Sequence, residues 1–191
     1  MKRRGERKQA RVLRSRVVYR GGIFRVRQDV VAEPRPGSQR LGRPLVRDIV
    51  EHKGSVVVLP VLADGRVLLV RQYRHATGGF LWELVAGGID PGESPRAGAK
   101  RELAEETGYL AGRLEGLASY FPTPGFLSEV MHVFRATRLE PGQARPEEDE
   151  ALEVRAFSRA ELRRMLQRKK LRDGKTILGL LLHWSRIRLR R

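Results

Sequence analysis

The stretch from Gly87 to Tyr109, GGIDPGESPRAGAKRELAEETGY, constrains this 191-residue chain more than any other. Ser94 followed by Pro95 is a helix N-cap with proline at the first helical position, and Gly108 is a natural terminator. The spacing therefore predicts a helix over Ser94–Thr107, about three to four turns at 3.6 residues per turn. On it Glu102, Glu105 and Glu106 are related by three and four positions, so their carboxylates share one face. Anions crowded on one face repel one another unless something positive sits among them. Magnesium answers that need, as a hard cation taking a few oxygen ligands from protein and the rest from water and phosphate. Arg101 is suited to hold a carboxylate by a bidentate pair, and Glu93 can fold back towards the same cluster. Gly87, Gly88 and Gly92 let the loop approach a metal or phosphate with its backbone. Ala99 and Leu103 lie off the acidic face and are expected to pack inward. A plain solvated acidic helix would not require glycines and Glu93 at these offsets.

Written as a pattern, the stretch is G-x5-E-x7-R-E-U-x-E-E-x-G-U, with U a bulky apolar residue, and every fixed position matches. It resembles the Nudix box. Resemblance to Nudix hydrolases implies that Glu102, Glu105 and Glu106 supply metal ligands, with Glu106 central and Glu93 supporting. It also implies a ligand from the backbone carbonyl of Ala86. Arg101 counts with the catalytic set. The implied reaction is attack by water on a nucleoside diphosphate linked to another group, with Mg2+ as the cofactor and Mn2+ as its substitute. Bound metal in such sites polarises phosphate and lowers the pKa of water.

A chain of this length fits one domain with one sizeable core and a small extension. It has no cysteine, which excludes disulfides and thiolate metal sites. His52, His75, His132 and His183 are scattered without a partner at ligand spacing, and no Ser-His-Asp signature is evident. The basic N-terminus lacks a following apolar region, so it does not read as a secretory signal. No apolar run approaches a membrane span, and the expected location is cytoplasmic. The net charge of +17 is unevenly placed. Residues 1–20 hold nine Lys/Arg and one Glu, residues 155–191 thirteen and two acids, and the middle is nearly neutral. Basic ends can touch RNA or acidic lipid. They are more often solvated faces, and no RNA-recognition motif with interleaved aromatics accompanies them.

Residues 1–11 read as a basic, mobile tail. Val12–Tyr19 and Ile23–Val31 alternate around Gly21-Gly22 as a β-hairpin. Residues 12–43 then form an N-terminal element suited to dimerisation or swapping, and 44–191 the catalytic domain. Further strands are expected at Leu45–Glu51, Ser55–Leu62, Val67–Tyr73, Leu117–Phe121, Glu129–Thr137 and Leu152–Phe157, with a polar loop at Glu140–Glu150. Ser158 caps an amphipathic helix to about Gln167. A last helix from about Lys175 to Ile187 carries Ile177, Leu178, Leu181 and Trp184 on one side, closing the core rather than lying on a membrane. The fold class is α/β: an α/β/α sandwich with a mixed sheet plus a small N-terminal antiparallel sheet, as Nudix resemblance also implies.

The flanks resemble the ADP-ribose pyrophosphatase branch. Gln72-Tyr73-Arg74 followed by Trp82-Glu83-Leu84-Val85-Ala86-Gly87 is similar to that group's QYR…WELPAG run, with Val85 in place of the proline. Pro124 stands sixteen residues after Gly108, the offset that marks the group, and Glu147-Glu148-Asp149-Glu150 matches its acidic loop. Substrate contacts are expected at Arg47, Arg74, Glu83, Pro124, Gly125 and Phe126. Arg47 and Arg74 can clamp phosphate oxygens, whereas alternation turns Arg71 to the opposite face. Tyr19, Phe24 or Phe126 can stack on a base, though at this spacing each is more often core. The general base implied by the resemblance is Glu148, with Glu150 next and Glu105 as the alternative. The expected partners are a small nucleoside diphosphate and a second copy of the chain. The alternatives are another Nudix substrate (GDP-mannose, flavin dinucleotide, dinucleoside polyphosphate) or an RNA-directed protein using the basic termini.

Overall fold

The structure, a computed structural model, describes residues 9–38, 40–142 and 152–189, with side chains described as far as Ser185. The chain divides into two units, one of residues up to His52 with Thr123–Glu129, the other of Lys53–Pro122 with the residues from Val130 onward. The first unit is an antiparallel sheet in the order β1 (Arg11–Arg20), β2 (Phe24–Ala32), β3 (Leu45–His52). Its hairpin closes with the Gly21 N–H donating to the Phe24 carbonyl at 2.9 Å. β3 pairs with β2 from Leu45 opposite Val31 to His52 opposite Phe24. The strand Leu45–His52 therefore belongs to the N-terminal sheet.

In the second unit β4 (Ser55–Pro60) is buried along its whole length. Its unbroken Val56-Val57-Val58-Leu59 run is the composition of a strand covered on both faces. It lies inside a mixed sheet ordered β7 (Val85–Gly88), β4, β9 (Met131–Pro141), β8 (Tyr109–Tyr120), in which β4 and β9 are parallel and the other pairs antiparallel. Val56 and Val58 join Val85, Leu114 and Ala136 beneath Ala99 and Leu103 of α1 (Pro95–Thr107). Val57 and Leu59 join the opposite cluster. There they meet Leu69 of β5 (Val67–Arg74), Phe157 of β10 (Glu153–Phe157), Leu162 of α2 (Arg159–Gln167) and Leu180 of α3 (Gly174–Leu189). β5 is the middle strand of an antiparallel sheet ordered β10, β5, β6 (Gly79–Glu83). One helix on one face of β4 and two on the other make the expected α/β/α sandwich. Burying each Val or Leu stabilises by about 1.5–3 kcal/mol, so β4 anchors both halves of the core.

Local differences from the sequence reading have physical causes. The Trp82–Gly87 run contains the end of β6 and most of β7, two strands that its motif character concealed. β8 starts at Tyr109 instead of Leu117 and runs through glycines 112 and 116. A Cβ on Gly112 would lie 2.8 Å from the Arg138 carbonyl, so glycine there permits a close backbone approach within the ladder. β9 starts at Met131 and continues through Glu140, where a loop was expected. The buried side of α3 is Thr176, Gly179, Leu180 and His183, whereas Leu181 is 52% exposed. Ile177 and Trp184 pack at the margin of that side. A small and a polar residue hid the stripe: a Cβ on Gly179 would meet Leu84 Cδ1 at 2.5 Å, so the helix is seated directly on β6–β7. Among the described residues no helix is long and apolar enough to cross a membrane.

Candidate active site

α1 begins and ends as its sequence dictates. Ser94 Oγ accepts from the Ala97 N–H at 3.2 Å, Pro95 opens the helix, and Gly108 takes a left-handed φ of 71°. Ala99 and Leu103 have no exposed area, which fixes the roll of the helix on the sheet. That roll grades the acidic face: Glu106 is 8% exposed, and the side chains of Glu102 and Glu105 are 13% and 35% exposed.

The acids gather around one guanidinium. Arg101 binds Glu93 side-on, Nε to Oε1 at 3.2 Å and Nη2 to Oε2 at 3.0 Å. Its Nη1 donates to Glu102 Oε1 at 2.6 Å and to Glu105 Oε2 at 3.0 Å, and Nη2 also reaches the Gly88 carbonyl at 2.9 Å. One cation thus ties the loop carboxylate to two helix carboxylates and to β7. Arg101 hydrogen bonds hold the Glu93 carboxyl below the ordinary glutamate value, and Arg101 itself is held fully protonated. Glu93 Oε2 further accepts from the Asp90 N–H at 3.1 Å, closing the loop. The Glu102 carboxylate lies where a side chain on Gly87 would stand: a Cβ there would be 2.1 Å from its carbon. A Cβ on Gly98 would likewise be 2.9 Å from Glu93 Oε2. Both glycines make room for carboxylates.

A second charged cluster lies at the β6–β7 junction. Arg74, ending β5, binds Glu83 side-on, Nε to Oε1 at 3.0 Å and Nη2 to Oε2 at 2.8 Å. Lys175 Nζ donates to the same Glu83 Oε2 and lies 3.1 Å from Asp173 Oδ1. Burial pushes the Glu83 carboxyl up, but Arg74 and Lys175 outweigh it and hold it below the ordinary value. With its side chain 2% exposed and both oxygens engaged, Glu83 faces its two cations, so its influence on a ligand runs through Arg74. Asp173 caps α3, its Oδ2 accepting from the Thr176 N–H at 3.0 Å, and Thr176 Oγ1 accepts from the Leu84 N–H at 2.7 Å. Sequence reasoning missed Asp173, Lys175 and Thr176. The signal available was a lysine in the first turn of a helix, where the macrodipole disfavours a cation.

The second unit brings Glu93, Arg101, Glu102 and Glu105 together and places Ala86 in β7 opposite Val57. Arg71 turns away and pairs with Glu153. The first unit holds Arg47, Pro124, Gly125 and Phe126. There Arg47 binds Glu33 side-on at 2.8 and 2.9 Å, and Phe126 is 54% exposed. Tyr19 and Phe24, weighed as core residues, are also exposed, with ring centroids 5.8 Å apart. Glu148 and Glu150 lie outside the described residues. Among the described residues no three His, Cys, Asp or Glu side chains converge to enclose an ion by themselves. The donors are all oxygens, and the space beside Gly87 holds a carboxylate where a Cβ would otherwise stand.

The NUDIX domain family matches residues 51–179. An ADP-ribose pyrophosphatase of Bacillus subtilis (strain 168) is 36% identical over 137 residues, 71% of this chain and 74% of that protein. A GDP-mannose pyrophosphatase of Citrobacter koseri is 33% identical over 148 residues, 69% of this chain and 77% of that protein. A crystal structure of an ADP compounds hydrolase superposes with a TM-score of 0.81 at 24% identity, covering 97% of each chain, and so shares the fold. A match over most of the chain, spanning the helix whose carboxylates Arg101 gathers, makes this protein a member of the Nudix hydrolase family.

Proposed function

We propose that the protein hydrolyses the diphosphate bond of ADP-ribose or a related nucleotide sugar, releasing a nucleoside monophosphate and a sugar phosphate. The observation that carries this reading is the Arg101-centred cluster of Glu93, Glu102 and Glu105 folded against Gly87. The similarity to an ADP-ribose pyrophosphatase supports the substrate. Glu102, Glu105 and Glu106, with Glu93 and the Ala86 carbonyl, would hold Mg2+, or Mn2+ in its place. When bound, the ion supplies charge stabilisation at the phosphate and a more acidic water.

The chain's own residues do the rest. Arg101 neutralises Glu93 and fixes the Glu102 and Glu105 carboxylates in one place. Arg74 offers a planar guanidinium that can match phosphate oxygens. Arg47, Pro124, Gly125 and Phe126 are substrate contacts of the first unit, and exposed Phe126 offers a ring for stacking on the base. The proton of the attacking water goes to Glu148, with Glu150 next and Glu105 as the alternative acceptor. The setting is a cytoplasmic homodimer in which N-terminal strands complete the partner's site. The exposed Val12, Leu13, Val18 and Tyr19 of β1 support self-association.

The similarity to a GDP-mannose pyrophosphatase supports a second substrate reading. A panel of ADP-ribose, GDP-mannose, flavin dinucleotide, diadenosine polyphosphate and capped RNA, with Mg2+ and products identified by mass, separates the two. Preferred release of AMP and ribose phosphate from ADP-ribose is expected. Inert ADP-ribose beside cleaved GDP-mannose or capped RNA overturns the first reading.

A further inference from the structure

We infer that Lys175, in the first turn of α3, is a positioning residue for Arg74: it keeps the Glu83 carboxylate paired so that Arg74 can turn to a substrate diphosphate. The inference rests on the proposed function for one point, that Arg74 binds phosphate oxygens.

Lys175 sits where helix electrostatics disfavour a cation. Its side chain is only 12% exposed, held between Glu83 and Asp173. Helix stability does not account for such a placement, whereas a buried anion does. The charge count is then informative. Two cations, Arg74 and Lys175, face two carboxylates, Glu83 and Asp173, and the side-on Arg74 contact engages both Glu83 oxygens. A buried pair of that kind is closed, because moving the arginine would strand an uncompensated charge. Lys175 opens it. With Arg74 withdrawn, Glu83 remains paired with Lys175.

The two cations also differ in access: the Arg74 side chain is 39% exposed against 12% for Lys175. Arg74 is therefore the one placed to leave. It also feels the charge of Glu106 on the box helix, which puts it within electrostatic reach of the carboxylate cluster. The Lys175 backbone is held in place, because its helix is fastened at the next residues. Thr176 holds the Leu84 N–H, and Gly179 lies against the Leu84 side chain. A fixed cation behind the carboxylate and a movable one in front form a division of labour that a single arginine could not provide.

The test is a double-mutant cycle read by calorimetric titration with ADP in the presence of Mg2+. ADP carries the diphosphate common to the nucleotide substrates considered, and the assay needs no turnover. Wild type, R74A, K175M and R74A/K175M are compared, with the melting temperature of each recorded to give the folded fraction. R74A and K175M are each expected to weaken ADP binding about tenfold, the scale of one charged hydrogen bond. R74A/K175M should bind no more weakly than R74A, and K175R should restore most of the affinity. K175Q, which keeps a hydrogen-bond donor without the charge, should behave as K175M and serves if K175M does not fold. Losses that multiply in the double variant, wild-type affinity in K175M or K175Q, or a wild type that does not bind ADP would each overturn the inference. Turnover of ADP-ribose by wild type, measured alongside, tests the proposed function alone.

Discussion

Replacing Gly87 by alanine probes the site at its tightest point. The added Cβ would lie 2.1 Å from the carbon and one oxygen of the Glu102 carboxylate, and 2.3 Å from the other oxygen. Ordinary contact begins near 3.4 Å, so the carboxylate must withdraw by at least about 1.3 Å, the gap between 2.1 and 3.4 Å. Displacing a reacting group by about 1 Å costs on the order of a hundredfold in rate, and kcat should fall by about that factor, some 2.7 kcal/mol. Stability should suffer less. Loss of the Arg101–Glu102 hydrogen bond costs about 1.5–3 kcal/mol. Alanine in place of glycine offsets about 0.4–1 kcal/mol by restricting the unfolded chain. The net is about 1–2 kcal/mol, a fall in Tm of roughly 2–8 °C for a domain of this size. G88A is the internal control, since a Cβ there meets nothing within 4 Å. It should stay within about twofold of wild type, as substitutions that touch nothing usually do. The assay is AMP release from ADP-ribose with Mg2+, beside a thermal melt of each variant. A G87A enzyme with wild-type kcat would refute the idea that Gly87 exists to seat Glu102.

Three further outcomes are expected. Glu106→Gln, at the most buried of the three box-helix carboxylates, should lower turnover by orders of magnitude with the melt little changed, and undiminished turnover would remove Glu106 from the metal set. Glu148→Gln should lower turnover by about 10²–10⁴-fold while calorimetric Mg2+ binding persists; full activity would pass the base role to Glu150 or Glu105. The third concerns pH. Glu83 is held below the ordinary glutamate value of about 4.5, so its stabilising contribution is complete above that pH and disappears as pH falls through its lowered value. Chemical denaturation of wild type and E83Q from neutral pH downward should therefore show their stability difference shrinking below about 4.5. A difference constant with pH would show that Glu83 is not ionised in the fold.

Much of the architecture was legible because it rests on local chemistry. Ser94, Pro95 and Gly108 bracket α1 by capping rules that need no tertiary partner, and the structure follows them to the residue. The apolar run Ser55–Leu62 announced a strand, and Ser55–Pro60 is one. What escaped were features whose meaning depends on a distant neighbour. The early start of β8 escaped because the Arg138 carbonyl that Gly112 admits is 26 positions away. Gly179 and Thr176 were not picked out, since Leu84 is invisible from α3. That β3 pairs with β2 was not legible, because alternation marks a strand without naming the strand it pairs with.

The site divides along the same line. The spacing of Glu93, Arg101, Glu102 and Glu105 by itself points to three carboxylates meeting one guanidinium, because helical periodicity and a short loop bring them together. It also determines the family, through a pattern with no unmatched position. Only the tertiary structure decided that Gly87 yields its side-chain volume to Glu102, and that Glu83 is buried between Arg74 and Lys175. Residues 83 and 175 are 92 positions apart. Burial, which turns an ordinary glutamate into a charge that must be answered, is a property of packing and cannot be read from spacing.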